Sequence, residues 1–126
     1  MEPSKVLIVD DSKLMHRMYE VMLRDYSVVY ALDGQQGLER LRQEREPAVD
    51  LVLLDINMPN MNGLEFLAEA RRDPAIAAVP VVIVSTEGRE EDTARGLEAG
   101  ASAYITKPFR SEEIRKVIER LGVSSP

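Results

Sequence analysis

Four short apolar runs in the 126-residue sequence end abruptly in residues able to do chemistry. Val6–Val9 runs into Asp10-Asp11, Leu51–Leu54 into Asp55, Val81–Val84 into Ser85-Thr86, and Ala103–Ile105 into Thr106-Lys107-Pro108. Taken singly, each has an ordinary structural reading: aspartates cap helices, Ser85 and Thr86 suit a loop or an N-cap, and Lys107 suits a solvated surface. Taken together they cannot be bland. Two carboxylates about 4 Å apart repel by roughly 4 kcal/mol at an effective dielectric near 20. A cluster of three therefore demands a cation or forces protonation. Hard oxygen ligands, in a chain with no cysteine and a single histidine, suit magnesium, which takes one or two protein carboxylates and a substrate phosphate. Lys107 would then contact a phosphoryl oxygen as a point charge, and Ser85 would hydrogen-bond another. The chemistry implied is phosphoryl transfer with Asp55 as the nucleophile, giving an aspartyl phosphate.

The elements that must bring these residues together are legible in the same pattern. Apolar runs at Val6–Val9, Val28–Ala31, Leu51–Leu54, Val81–Val84 and Ala103–Ile105 predict five strands, each followed by room for one helix. The first, third and fourth runs are continuously apolar, as expected of central strands covered on both faces, whereas Val28–Ala31 is followed closely by polar Asp33-Gly34. Leu14, Met15, Met18, Val21 and Met22 recur at helical spacing behind an N-cap at Ser12. Leu38 and Leu41 mark a second helix, Leu64, Leu67 and Ala70 a third, Ala94 and Leu97 a weak fourth, and Ile114, Val117, Ile118 and Leu121 a fifth. Alternating strand and helix predicts an α/β doubly wound domain: a parallel sheet with helices on both faces and right-handed crossovers. In such sheets ligands bind outside the carboxyl ends of the strands, where Asp10, Asp11, Asp55, Ser85 and Lys107 all fall. Asp55 ends a buried strand because a rigid element must present the nucleophile, and the loop Ile56–Gly63 must bend to offer a backbone carbonyl to the metal.

Composition bounds the rest. The length suits one domain, 1–126, with a proper core, and residues 122–126 read as a frayed end or the start of a linker. Sixteen basic against 22 acidic residues give a net charge of −6, the wrong footprint for direct nucleic-acid binding. No apolar run approaches the roughly 18 residues of a membrane span, so a cytoplasmic protein without membrane insertion is expected.

Four blocks, "VLIVDDS" (6–12), "LVLLDINMPNMNG" (51–63), "VVIVSTEG" (81–88) and "GASAYITKPF" (100–109), resemble the receiver domain of two-component response regulators, and most closely the CheY-like single-domain chemotaxis regulators. The resemblance spans essentially the whole chain. It implies a flavodoxin-like fold with strand order 2-1-3-4-5, and the roles carry over position by position. Asp55 matches the phosphoacceptor; Asp10 and Asp11 match the acidic pair that positions Mg2+, with the backbone carbonyl of Asn57 as the third protein ligand. Ser85 matches the switch hydroxyl, Tyr104 the aromatic switch residue on the fifth strand, and Lys107 the motif lysine. Pro108 matches the proline after it, often reached through a cis bond in the family. Thr86 adjoins the switch position, and Glu87 and Asn57 match sites that tune loss of the aspartyl phosphate. The implied partners are a histidine kinase as phosphodonor and a downstream protein that reads the face of the fourth helix, fifth strand and fifth helix, with the chain a monomer or a weak dimer on phosphorylation. Ile56 departs from the pattern, standing where the enterobacterial chemotaxis protein has tryptophan.

Rival readings are set against this one by particular residues. A haloacid-dehalogenase-type phosphatase wants a second aspartate two residues after the nucleophile, where this chain has Asn57, and an acidic pair late in the sequence rather than at Asp10-Asp11. A histidine phosphotransfer protein would rest on His16, but such proteins are helical bundles, and His16 reads as an exposed or half-exposed helical residue. A phosphorylation-independent binding module does not need the full set of site residues. The chain is also readable as the receiver portion of a longer regulator, although Met1 falls just before the first strand and nothing like an output domain follows the last helix, which favours a stand-alone regulator that is no enzyme in the usual sense.

Overall fold

A computed structural model describes residues 4–45, 48–56, 63–86 and 88–122. Five strands, β1 (Lys5–Val9), β2 (Ser27–Ala31), β3 (Leu51–Asp55), β4 (Val81–Ser85) and β5 (Ala103–Thr106), alternate with helices α1 (Lys13–Met22), α2 (Gly34–Gln43), α3 (Gly63–Arg72), α4 (Glu90–Glu98) and α5 (Ser111–Arg120). The strands form one sheet in the order β2-β1-β3-β4-β5, every pair parallel. A parallel sheet rules out the helical bundle of a histidine phosphotransfer protein. The continuously apolar runs are the three central strands, buried on both faces, and the polar-ended Val28–Ala31 lies on the edge strand β2.

Alternation along the central strands sends side chains into two cores. Leu7, Val9, Val52, Leu54, Val81 and Ile83 face α2 and α3, meeting Leu38, Leu41, Phe66, Leu67 and Ala70. Val6, Ile8, Leu51, Leu53, Val82 and Val84 face α1 and α5, meeting Tyr19, Leu23, Ile114 and Ile118. α4 lies on the α2–α3 face, where a Cβ at Gly96 would fall 2.8 Å from Ile83 Cδ1 and 3.1 Å from the Tyr104 ring. Its apolar pattern is weak because it packs through a glycine rather than through large side chains.

The α1 face differs from the sequence expectation. Leu14, Met18 and Val21 are 68%, 42% and 74% exposed, whereas Tyr19 and Leu23 are buried and Met15 and Met22 pack against the core. Both stripes repeat at three and four residues, so periodicity alone does not choose between them. The inward stripe wins because it carries the aromatic Tyr19 and continues into Leu23 and Tyr26.

A side chain that no pattern advertised ties the far end of the sheet together. The Arg71 guanidinium donates from Nη1 to the carbonyls of Ala77 (2.9 Å) and Val79 (2.8 Å) and from Nη2 to that of Gly100 (2.8 Å). Gly100 has φ +110°, a left-handed conformation that favours glycine, and closes α4 with its N–H on the Leu97 carbonyl. Arg71→Ala leaves three carbonyls to find new donors and is expected to cost about 3 kcal/mol in urea unfolding. Arg71→Lys is expected to recover only a minor part, since a point charge lacks the planar fork. Full stability in the alanine variant would show that water replaces the guanidinium without loss.

Candidate functional site

β1 ends at Val9 because the next two residues are carboxylates, and the chain turns into α1 there. The Asp10 N–H still bonds the Ala31 carbonyl (3.1 Å), which fixes its position at the sheet edge. Its side chain is 3% exposed and is held twice: Oδ1 accepts from the Ser12 N–H at 2.9 Å, and Oδ2 lies 3.5 Å from Lys107 Nζ. Ser12 is the N-cap of α1, its hydroxyl accepting from the Met15 N–H at 3.2 Å. Asp11 is exposed and Asp55, the last residue of β3, is half-buried.

One carboxylate oxygen from each of Asp10, Asp11 and Asp55 lies within 4.8 Å of the others. The expected convergence from segments far apart in sequence is therefore present. Three hard oxygen donors at this separation fit a divalent cation of the magnesium or manganese kind rather than a soft metal. The cluster's field extends beyond its members: burial first, then the charges of Asp10 and Asp55, raise the Tyr19 hydroxyl above its ordinary pKa.

Ser85 ends β4 fully buried, and its carbonyl accepts from the Lys107 N–H at 2.7 Å, which holds the start of the β5–α5 loop against β4. The Lys107–Pro108 bond is cis. Lys107 keeps its side chain only 18% exposed and aims its ammonium at Asp10. Thr86 and Pro108 are exposed and, with Met15, Met18, Lys107 and Phe109, line a shallow pocket of about 340 Å³. Tyr104 is half-buried on β5, its ring against the Gly96 position of α4 and the α2–α3 core. Asn57 and Glu87 lie outside the described residues. His16, read from sequence as an exposed or half-exposed helical residue, is half-buried on α1; what the sequence did not show is its contact, with Nε2 2.7 Å from the Asp10 carbonyl oxygen. The two lie six positions apart, and the fourth residue after the N-cap comes over the end of β1 only when strand and helix are placed together.

The carboxylate cluster predicts an inverse relation between stability and metal binding. Asp11→Asn relieves repulsion from two neighbours in a largely solvated position and is expected to stabilise the protein by about 1 kcal/mol in EDTA, roughly 4 °C in Tm. The same change is expected to weaken Mg2+ binding measured by calorimetry. A variant that loses stability in EDTA would show that Asp11 is held by favourable contacts rather than tolerated against repulsion.

Among the described residues no helix is long and apolar enough to cross a membrane. The family model of the response regulator receiver domain matches residues 6–119, and the chain belongs to that family. Within it, the chain is 34% identical to the chemotaxis protein CheY-3 of Vibrio cholerae over 121 residues, 93% of each protein. The solved structure of CheY4 from Vibrio cholerae matches with a TM-score of 0.86 at 33% identity, covering 94% of this chain and 98% of that one. The Mn(2+)-bound form of response regulator Rcp1 matches with a TM-score of 0.78 at 30% identity, covering 98% and 99%.

Proposed function

We propose that residues 1–126 act as one receiver domain that accepts a phosphoryl group from the phosphohistidine of a histidine kinase onto Asp55 and signals to a protein partner in the cytoplasm. The observation that carries this reading is the convergence of three carboxylates within 4.8 Å, with the Lys107 ammonium 3.5 Å from one of them, at the carboxyl edge of the sheet. An Asp55 carboxylate oxygen attacks phosphorus, the phosphorus–nitrogen bond breaks, and the imidazole nitrogen keeps the electron pair and is protonated as required by the medium. Lys107 neutralises charge on the transferred group, and the Ser85 hydroxyl donates to one of its oxygens. When bound by Asp10, Asp11, Asp55 and the Asn57 carbonyl, Mg2+ supplies further neutralisation of the charge that builds up between carboxylate and phosphoryl oxygens. Its place in this reading is supported by the donor set and by the Mn(2+) in the similar Rcp1 structure.

Phosphorylation replaces the carboxylate charge of Asp55 with a phosphoryl group carrying close to two negative charges, a net gain of about one, draws Ser85 toward its oxygens and lets Tyr104 turn into the space released. The face of α4, β5 and α5 then shifts population, and a partner that prefers one state reads it. Likeness to chemotaxis proteins supports a chemotaxis-like, stand-alone role. The test is intact mass after incubation with acetyl phosphate, with Mg2+ or with EDTA, on the wild type and on Asp55→Asn. A gain of one phosphoryl group that requires both Mg2+ and Asp55 is expected. No gain by folded wild-type protein would leave a phosphorylation-independent binding module in its place.

A further inference from the structure

We propose that His16 is a positioning residue for the acidic pair, holding the Asp10–Asp11 peptide so that both carboxylates are presented to the cluster; the proposal rests on the phosphoacceptor reading above. The last bond of the β1–β2 ladder on this side is made by the Asp10 N–H. The first backbone bond of α1 goes from the His16 N–H to the Ser12 carbonyl, 3.2 Å. The Asp10 carbonyl lies between these two systems, beyond the strand and before the helix. His16 Nε2 stands 2.7 Å from its oxygen. A carbonyl only accepts, so that nitrogen donates. The neutral Nε2–H tautomer and the imidazolium both do so, and the contact does not depend on the charge of the ring.

The ring itself is anchored. It stacks on Tyr30, with centroids 4.8 Å apart and planes at 25°, and Tyr30 is paired in register with Ile8 of β1. The Asp10 side chain is fixed separately, by the Ser12 N–H and Lys107. Asp11 is different: its side chain is exposed, and its direction follows from the peptide plane that His16 holds. Partners that orient a metal ligand without touching the metal commonly change affinity by about 10–100-fold.

Two substitutions separate this role from simple packing. His16→Phe keeps an aromatic ring on Tyr30 and removes the donor; His16→Gln keeps an N–H donor and removes the ring. Mn2+ is titrated calorimetrically into the full unphosphorylated chain, with thermal unfolding in EDTA as a control for folding. His16→Phe is expected to weaken Mn2+ binding about tenfold, and His16→Gln to stay within about threefold of wild type. The reverse order, equal losses in both, or no loss in either overturns the positioning role. If His16→Phe does not fold, His16→Gln decides alone: affinity near wild type upholds the proposal and a tenfold loss sinks it. Failure of the wild type itself to bind Mn2+ overturns the phosphoacceptor reading, and the positioning role with it, and is distinguishable because no variant is involved.

Discussion

Replacing Lys107 with methionine is expected to slow phosphorylation of Asp55 by acetyl phosphate about 10²–10³-fold at saturating Mg2+, the usual effect of removing one preorganised group aimed at developing charge. Methionine keeps most of the apolar stem and deletes only the ammonium, so loop packing against Ser85, which runs through the Lys107 backbone N–H, is retained. The effect on stability runs through Asp10. That carboxylate is almost fully enclosed and has Lys107 Nζ at 3.5 Å, while two further carboxylates stand within 4.8 Å. Without the ammonium it keeps the Ser12 N–H on Oδ1. A loss of about 1–2 kcal/mol in EDTA is expected, smaller than for a fully buried pair because Lys107 is partly solvated. Millimolar Mg2+ is expected to recover most of it, because a bound cation replaces the missing positive charge. Initial rates by intact mass, beside urea unfolding with and without Mg2+, read both effects. Wild-type rates in Lys107→Met would remove the ammonium from the transfer step and leave it as a structural counter-ion of Asp10.

The chemistry of this site was legible because it sits where strands end. An uninterrupted apolar run that stops at a carboxylate or a hydroxyl can be read without a structure, and four such stops, once the sheet is parallel, fall on one edge. Val6–Val9, Leu51–Leu54 and Val81–Val84 announced central strands by being apolar on both faces, and Ser12 announced the start of α1. What escaped the sequence depends on close approach and on direction. The Leu14-Met18-Val21 stripe and the Met15-Tyr19-Met22 stripe have equal period, and only packing tells which is inside. Arg71 reaches carbonyls from two different connections, which no local pattern encodes. His16 acts on a main-chain oxygen, an acceptor that every residue carries. Gly63 and Gly96 matter for the side chain they lack, and that becomes visible only when their neighbours are placed.

Gly63 gives the sharpest test of how the fold holds Asp55, the proposed phosphoacceptor. It is the buried first residue of α3, and its N–H donates to the Ile56 carbonyl at 2.9 Å. A Cβ there would lie 2.7 Å from Ile56 Cα and 2.9 Å from the Asp55 carbonyl oxygen, both backbone atoms with no rotamer to turn away. Gly63→Ala must therefore shift either the end of β3 or the start of α3. The gain in helix propensity, about 1 kcal/mol, is outweighed by an overpacking cost of about 1–3 kcal/mol. The larger effect falls on chemistry: moving Asp55 by a fraction of an ångström spoils the in-line approach, and a loss of about 10–100-fold in phosphorylation rate is expected. Gly37→Ala separates this from general destabilisation. Its Cβ would fall 2.9 Å from Phe66 Cε2 and 2.9 Å from Val9 Cγ2, side-chain atoms in the α2–α3 core that can adjust without moving the Asp55 backbone. Similar unfolding midpoints in the two variants, with the rate lost only in Gly63→Ala, would locate the requirement in the backbone contact behind Asp55. Equal rates would mean that the end of β3 absorbs a methyl group without displacing its carboxylate, and that the position of Asp55 is set by the strand alone.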